Sequence, residues 1–134
     1  MAHYAFIDEN NIVFEVITGR DEDEVVDGIS DWETYYGELR GALCKRTSYN
    51  TRAGVHKYGG TPFRLNYGSI GCVYDPDRDV FIENPPEGYR SWVLNEELGI
   101  YEAPFPAPDD SGDWIWDEDS LQWYHKSEWL NFDE

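Results

Sequence analysis

"VYDPDRDVFIE", Val73 to Glu83, decides the fold. Residues that favour extended backbone stand on both sides of a run of Asp, Pro and Arg that favours a turn, which is the pattern of a β-hairpin. The same pattern occurs three more times without a gap, in "FIDENNIVFEV" (Phe6 to Val16), "VLNEELGIYEA" (Val93 to Ala103) and "IWDEDSLQWYH" (Ile115 to His125). Each copy places an apolar pair before Asp or Asn, an acidic or proline-containing turn next, and a second apolar pair after it. The last three copies follow one another at nearly regular spacing, with turns at Asp75, Asn95 and Asp117, so a short tandem array of hairpins is expected.

A lone hairpin is marginal in water, so the copies must pack together or against other elements. Trp92, Tyr101, Trp114, Trp116, Trp123 and Tyr124 stand where cross-strand rings would stack. Between the first and second copies, "DEDEVVDGISDWETYYGELRG" carries Val25, Val26, Ile29, Trp32, Tyr36 and Leu39 at helical spacing. Acids crowd its start and Arg40-Gly41 fits its end, which predicts a helix over residues 21–40 that Gly28 interrupts. The fold expected is therefore mainly β (α+β), one domain over residues 1–134. It comprises a first hairpin (1–20), the helix (21–40), a basic Gly-rich segment of short strands and ordered loops (41–71) and three tandem aromatic hairpins (72–134). Proline-rich connections, "NPPEGYR" and "PFPAPDDSGD", would stiffen the spacing of the later hairpins.

The chain carries 28 acids against 10 bases, a net charge of -18, so nucleic acid and anionic membrane are not expected partners, because both reward cationic surfaces. Aromatic residues make up 16% of the chain, enough to offset chain entropy and place it outside the disordered class. No apolar run reaches the roughly 20 residues of a spanning helix, and the start lacks a signal core, so a soluble protein that is not exported is expected. Cys44 and Cys72 have no CxxC partner and are expected as buried thiols.

Against that acidity, Lys45 to Gly71 contains no Asp or Glu and holds five of the ten bases: Lys45, Arg46, Arg52, Lys57 and Arg64. Two readings stand side by side. In one, these side chains bridge the carboxylates of neighbouring elements and relieve their self-repulsion. In the other, the segment, His56 included, is a docking surface for an acidic partner. The glycines of "AGVHKYGGTP" and "NYGSIG" imply a loop of defined shape in either case. The aromatic hairpins raise a separate candidate, sugar rings stacking on Trp92, Trp114, Trp116 or Trp123, against the alternative that these rings form a small core. Asp75, Asp77 and Asp79 begin like a calcium loop, but Val80 stands where that loop needs Gly and Pro86 where it needs Glu, so a turn is expected rather than a metal site. The three histidines lie in no metal or nucleophile motif. No enzyme activity and no cofactor are expected.

The run "TSYNTRAGVHKYGGTPFRLNYGSIGCVYDPDRDVFI", with "SWVLNEELGIYEAPFPAPDD", "WIWDEDSLQWY" and the opening "MAHYAFIDENNIV", resembles small proteins of marine tailed phages, especially those of cyanobacteria. Members are mostly uncharacterised or described as virion structural proteins. The resemblance implies a virion component made in the host cytoplasm, such as a capsid decoration (knob-like) or fibre-associated protein, with other capsid or tail proteins as partners and oligomers common. The alternatives are a glycan- or receptor-binding module of a tail fibre and a cytoplasmic effector that binds a host protein.

Overall fold

A computed structural model describes residues 2–129. The protein is mainly β, and all four expected hairpins form. The chain divides into two compact units, residues 1–84 with 96–100, and residues 85–95 with 101–134.

In the first unit, β1 (Ala2–Ile7) is the centre of an antiparallel sheet, flanked by β2 (Val13–Gly19) and β3 (Leu43–Thr47) in the order β2-β1-β3. Alternation along β1 sends successive side chains to opposite faces, and both faces are covered. Ala2, Tyr4 and Phe6 pack with Trp32 and Cys44 under the helix. Ala5 and Ile7 pack with Val13, Cys72, Tyr74 and Phe81 on the other side. The two thiols are free and buried in separate clusters, and burial pushes the Cys44 thiol up to about 12.

The helix is shorter than its periodicity predicts. α1 spans Trp32–Arg40, with Asp31 as N-cap accepting from the Thr34 amide and Gly41 as a left-handed C-cap. Residues 21–31 are turns instead. Val26 and Ile29 bridge across Asp27 and Gly28, whose φ values are 52° and 80°, the backbone of a two-residue turn that Asp-Gly favours over helix. Trp32 donates from its ring nitrogen to the Glu24 carbonyl and so ties this turn to the helix start.

The acid-free segment contributes β3 and then a two-residue hairpin, β4 (Thr51–Arg52) with β5 (Val55–His56), closed by Ala53 and Gly54 at φ 52° and 76°. The second expected hairpin is β6 (Val73–Asp75) with β7 (Val80–Ile82). The third is β8 (Val93–Asn95) with β9 (Ile100–Glu102), and the fourth is β10 (Trp114–Asp117) with β11 (Gln122–His125), followed by a short α2 (Lys126–Trp129). The three later turns repeat one device, a left-handed residue four positions after the turn-opening Asp or Asn: Asp79, Gly99 and Leu121 at φ 57°, 65° and 56°. The Asp75 carboxylate accepts the amides of Asp77 and Arg78, and the Asp117 carboxylate accepts that of Asp119. The cross-strand pairs Tyr74–Phe81 and Trp116–Trp123 occupy equivalent positions, with ring centroids 5.4 and 5.3 Å apart.

Candidate partner-docking site

The six basic candidates of the acid-free segment separate into two sets. Arg46 and Arg64 turn inward, with side chains only 14% and 15% exposed. Arg46 lies on β3, bonds Glu22 at 3.0 Å and sets its guanidinium 4.3 Å from the Phe63 ring centre. Arg64 reaches Glu33 and Asp79, each at 2.8 Å, and donates to the Arg46 carbonyl. Although burial pulls the other way, hydrogen bonds and charge from Asp79 and Glu33 hold the Arg64 guanidinium above its ordinary value. The expectation that these two arginines face a partner is corrected on this geometry: leaving their carboxylates would strand partly buried charge.

Arg52, Lys57 and His56 sit on or beside the β4–β5 hairpin. Arg52 is 61% exposed and forks onto Glu83 with two contacts of 3.0 Å. His56 accepts the Tyr58 amide at Nδ1, which holds the turn after β5. Lys57 is exposed, 5.4 Å from the Tyr58 ring centre, with no carboxylate partner among the described residues. Lys45, half-buried on β3, also lacks one among the described residues. Tyr49, Val55 and Tyr58 expose large apolar surface around them, Tyr58 to 74%. The hairpin therefore presents cations and rings together, while the inner arginines anchor its base.

Asn66 fixes the shape of this surface. It is 1% exposed, and its amide donates to the carbonyls of Phe81 and Leu98 at 2.9 and 2.8 Å while its oxygen accepts the Ala53 amide at 2.8 Å. Gly99 must be glycine beside it, because a Cβ there would lie 2.7 Å from the Asn66 nitrogen at φ +65°. Thr47, fully buried, accepts the Gly68 amide at 2.7 Å. Sequence reasoning missed Asn66 and Thr47, since nothing local marks them apart from other polar residues of the segment.

A comparison with protein-family models, curated proteins and solved structures finds no match. What the surface does must come from its own chemistry.

A cleft of about 570 Å³ opens beside β4, lined by Tyr49, Thr51, Val55, Lys57, Tyr67 and Glu83 among others. Tyr49 meets Tyr67 edge-on at 5.4 Å and stacks on His3 at 6.0 Å. Burial, then the charges of Arg46 and the N-terminus, lower the His3 pKa. Thr51 is 3% exposed, and its hydroxyl is buried without a hydrogen-bond partner among the described residues. Such a group costs about 1–3 kcal/mol when left unmatched.

The tryptophan candidates lie in the second unit. Trp116 is corrected from a sugar platform to a core ring: it is 6% exposed, edge-on to Trp123 and Phe105, and its ring nitrogen donates to Glu118. Trp123 donates to the Phe105 carbonyl and Trp114 to Asp109, so both are held half-buried by internal bonds. Trp92, half-buried against Tyr89 at 5.2 Å, has no hydrogen-bond partner for its ring nitrogen among the described residues. Of the three aspartates with calcium-like spacing, Asp75 holds the turn and Asp79 takes Arg64, and no metal-holding cluster occurs among the described residues.

Proposed function

We propose that this chain is a non-enzymatic accessory protein of a tailed-phage particle, docking on an acidic partner through the β4–β5 hairpin of its acid-free segment. The phage context rests on the resemblance of Thr47 to Ile82 and of the two later runs. The observation that carries the docking reading is the joint exposure of Tyr49, Val55 and Tyr58 beside Arg52 and Lys57, in a chain of net charge -18. Exposed rings with an adjacent cation supply contact area and a charge match at once. The remaining acidic surface repels copies of itself and favours solubility, as suits an outward-facing particle protein.

The test is quantitative mass spectrometry of density-purified, salt-washed virions of the encoding phage, for wild type and for Lys57→Glu with Tyr58→Ser. A fixed ratio of wild type to capsid protein, lost in the double variant while its circular dichroism is unchanged, is expected. Absence of the wild-type chain from particles overturns the virion reading. Equal incorporation of the variant overturns the docking surface.

A further inference from the structure

Tyr49 and Asn50 are the central pair of the β-turn between β3 and β4, closed by the Thr51 amide on the Ser48 carbonyl at 3.1 Å. The Lys57 amide donates to the Asn50 carbonyl at 2.7 Å, so this backbone is fixed from both sides, and both side chains line the cleft beside β4. The Tyr49 ring is braced by His3 and Tyr67, with its centre 6.0 and 5.4 Å from theirs, yet Tyr49 stays 66% exposed. A braced ring with open surface is a platform for the apolar face of a ligand. Around it, polar groups are uncommitted. The Asn50 amide and the Tyr67 hydroxyl have no hydrogen-bond partner among the described residues and, unlike the Thr51 hydroxyl, are not closed off from solvent. An amide and a phenol can each donate and accept, and the Lys57 ammonium adds donors. Sugar hydroxyls also do both, and a pyranose carries them around the rim of an apolar ring face, so platform and rim groups together match it. The cleft holds about 570 Å³, within the roughly 300–1,000 Å³ usual for small-ligand sites. Other occupants fit less well. A peptide added as a strand needs a free edge, but both main-chain groups of Thr51 are taken, its N–H by Ser48 and its carbonyl by the Tyr67 amide at 3.0 Å. A nucleotide or other polyanion meets a net charge of -18.

We propose that the cleft beside β4 is a carbohydrate-binding site for a pyranose unit, with the sugar ring stacked on Tyr49 and its hydroxyls held by Asn50, Tyr67 and Lys57. This site goes beyond the docking of the β4–β5 hairpin and does not depend on it.

The experiment is an amide-resolved NMR titration of the full chain with the methyl glycosides of glucose, galactose, mannose and N-acetylglucosamine, alongside adenosine and capped hexapeptides centred on Glu or Phe. At least one glycoside is expected to saturate at millimolar concentration and to shift the amide signals of Asn50, Thr51, Lys57 and Tyr67. Tyr49→Ala should weaken that glycoside about tenfold, and Tyr49→Phe, which keeps the ring, should weaken it far less. Asn50→Ala should weaken it several-fold with the rest of the spectrum unchanged, because the Asn50 side chain bonds to no other described residue. No shift at these amides with any glycoside, equal or tighter binding there of adenosine or a hexapeptide, or wild-type affinity in Tyr49→Ala overturns the proposal. Asn50→Ala should still enter particles, whereas Lys57→Glu with Tyr58→Ser should not. Sugar binding by a chain absent from virions would overturn the particle placement alone. Particle incorporation through the hairpin with a failed titration would overturn the cleft alone.

Discussion

Arg64 places its Nε 2.8 Å from the Asp79 carboxylate, joining the loop after β5 to the turn of the β6–β7 hairpin. Both residues sit in left-handed backbone, at φ 51° and 57°, so the pair stabilises two conformations that L residues adopt rarely. Tyr74 donates to the same carboxylate, and Arg64 continues to Glu33. One guanidinium thus holds the helix, the acid-free segment and the second hairpin in register.

This pair makes stability depend on acid. Burial pushes the Asp79 carboxyl upward, but hydrogen bonds from Arg64 and Tyr74 and the Arg64 charge outweigh it and hold the carboxyl below its ordinary 3.8. Because the folded value is depressed, the contribution is complete above pH 3.8 and is lost as the pH falls through the lower folded value. Asp79→Asn, which tolerates the same backbone, should cost about 1 kcal/mol at pH 7 after allowance for solvent screening. Chemical unfolding of both proteins against pH should show that gap closing below pH 3.8. A gap that persists unchanged at pH 2 would mean the charge is not its source.

Asn66 should be the most sensitive polar position. Asn66→Ala removes, from a side chain 1% exposed, the amide that serves the Ala53 N–H and the Phe81 and Leu98 carbonyls, and should cost about 3 kcal/mol by urea unfolding. A loss under 1 kcal/mol would show that water replaces the amide.

Ala53 should move the other way. It occupies φ 52° at the first position of the β4–β5 turn, where Asn is favoured over Ala, and its backbone amide donates to Asn66. Ala53→Asn is expected to raise stability by about 0.5–1 kcal/mol, read as a higher thermal midpoint.

The hairpins were legible because strand alternation and turn chemistry are local: Asp75 accepts amides two and three residues ahead, and Asp117 one two residues ahead. The helix was overextended because Val25, Val26 and Ile29 keep helical spacing while Asp27-Gly28 writes a tight turn through it, and backbone preference decided there. The two arginine roles were both foreseeable as types, yet their assignment was not. Glu33 is 31 residues from Arg64, and no periodicity announces such a pairing. Asn66 is hidden for the same reason, since its carbonyl partner Leu98 lies 32 residues away.

In the second unit, Trp116 carries the packing. Trp116→Ala removes the ring between Trp123 and Phe105 and should cost that unit about 3–5 kcal/mol. Near-ultraviolet circular dichroism should lose the second unit's share of the tryptophan signal in the variant and keep that of the buried Trp32 in the first unit. A signal identical to that of the wild type would show that Trp116 does not order the rings of its unit.

The last prediction separates the two kinds of base. Arg46→Glu sets a carboxylate beside Glu22 and Glu33 at a site only partly open to water, and removes the cation over Phe63. It should destabilise the first unit by about 3 kcal/mol or more, because like charges meet where screening is weak. Lys57→Glu changes the net charge equally, but on an exposed side chain with no carboxylate partner among the described residues. Its cost should stay within about 0.5 kcal/mol. Urea unfolding of the two proteins side by side measures the contrast. Equal destabilisation would return Lys57 to the structural set and remove it from the docking surface.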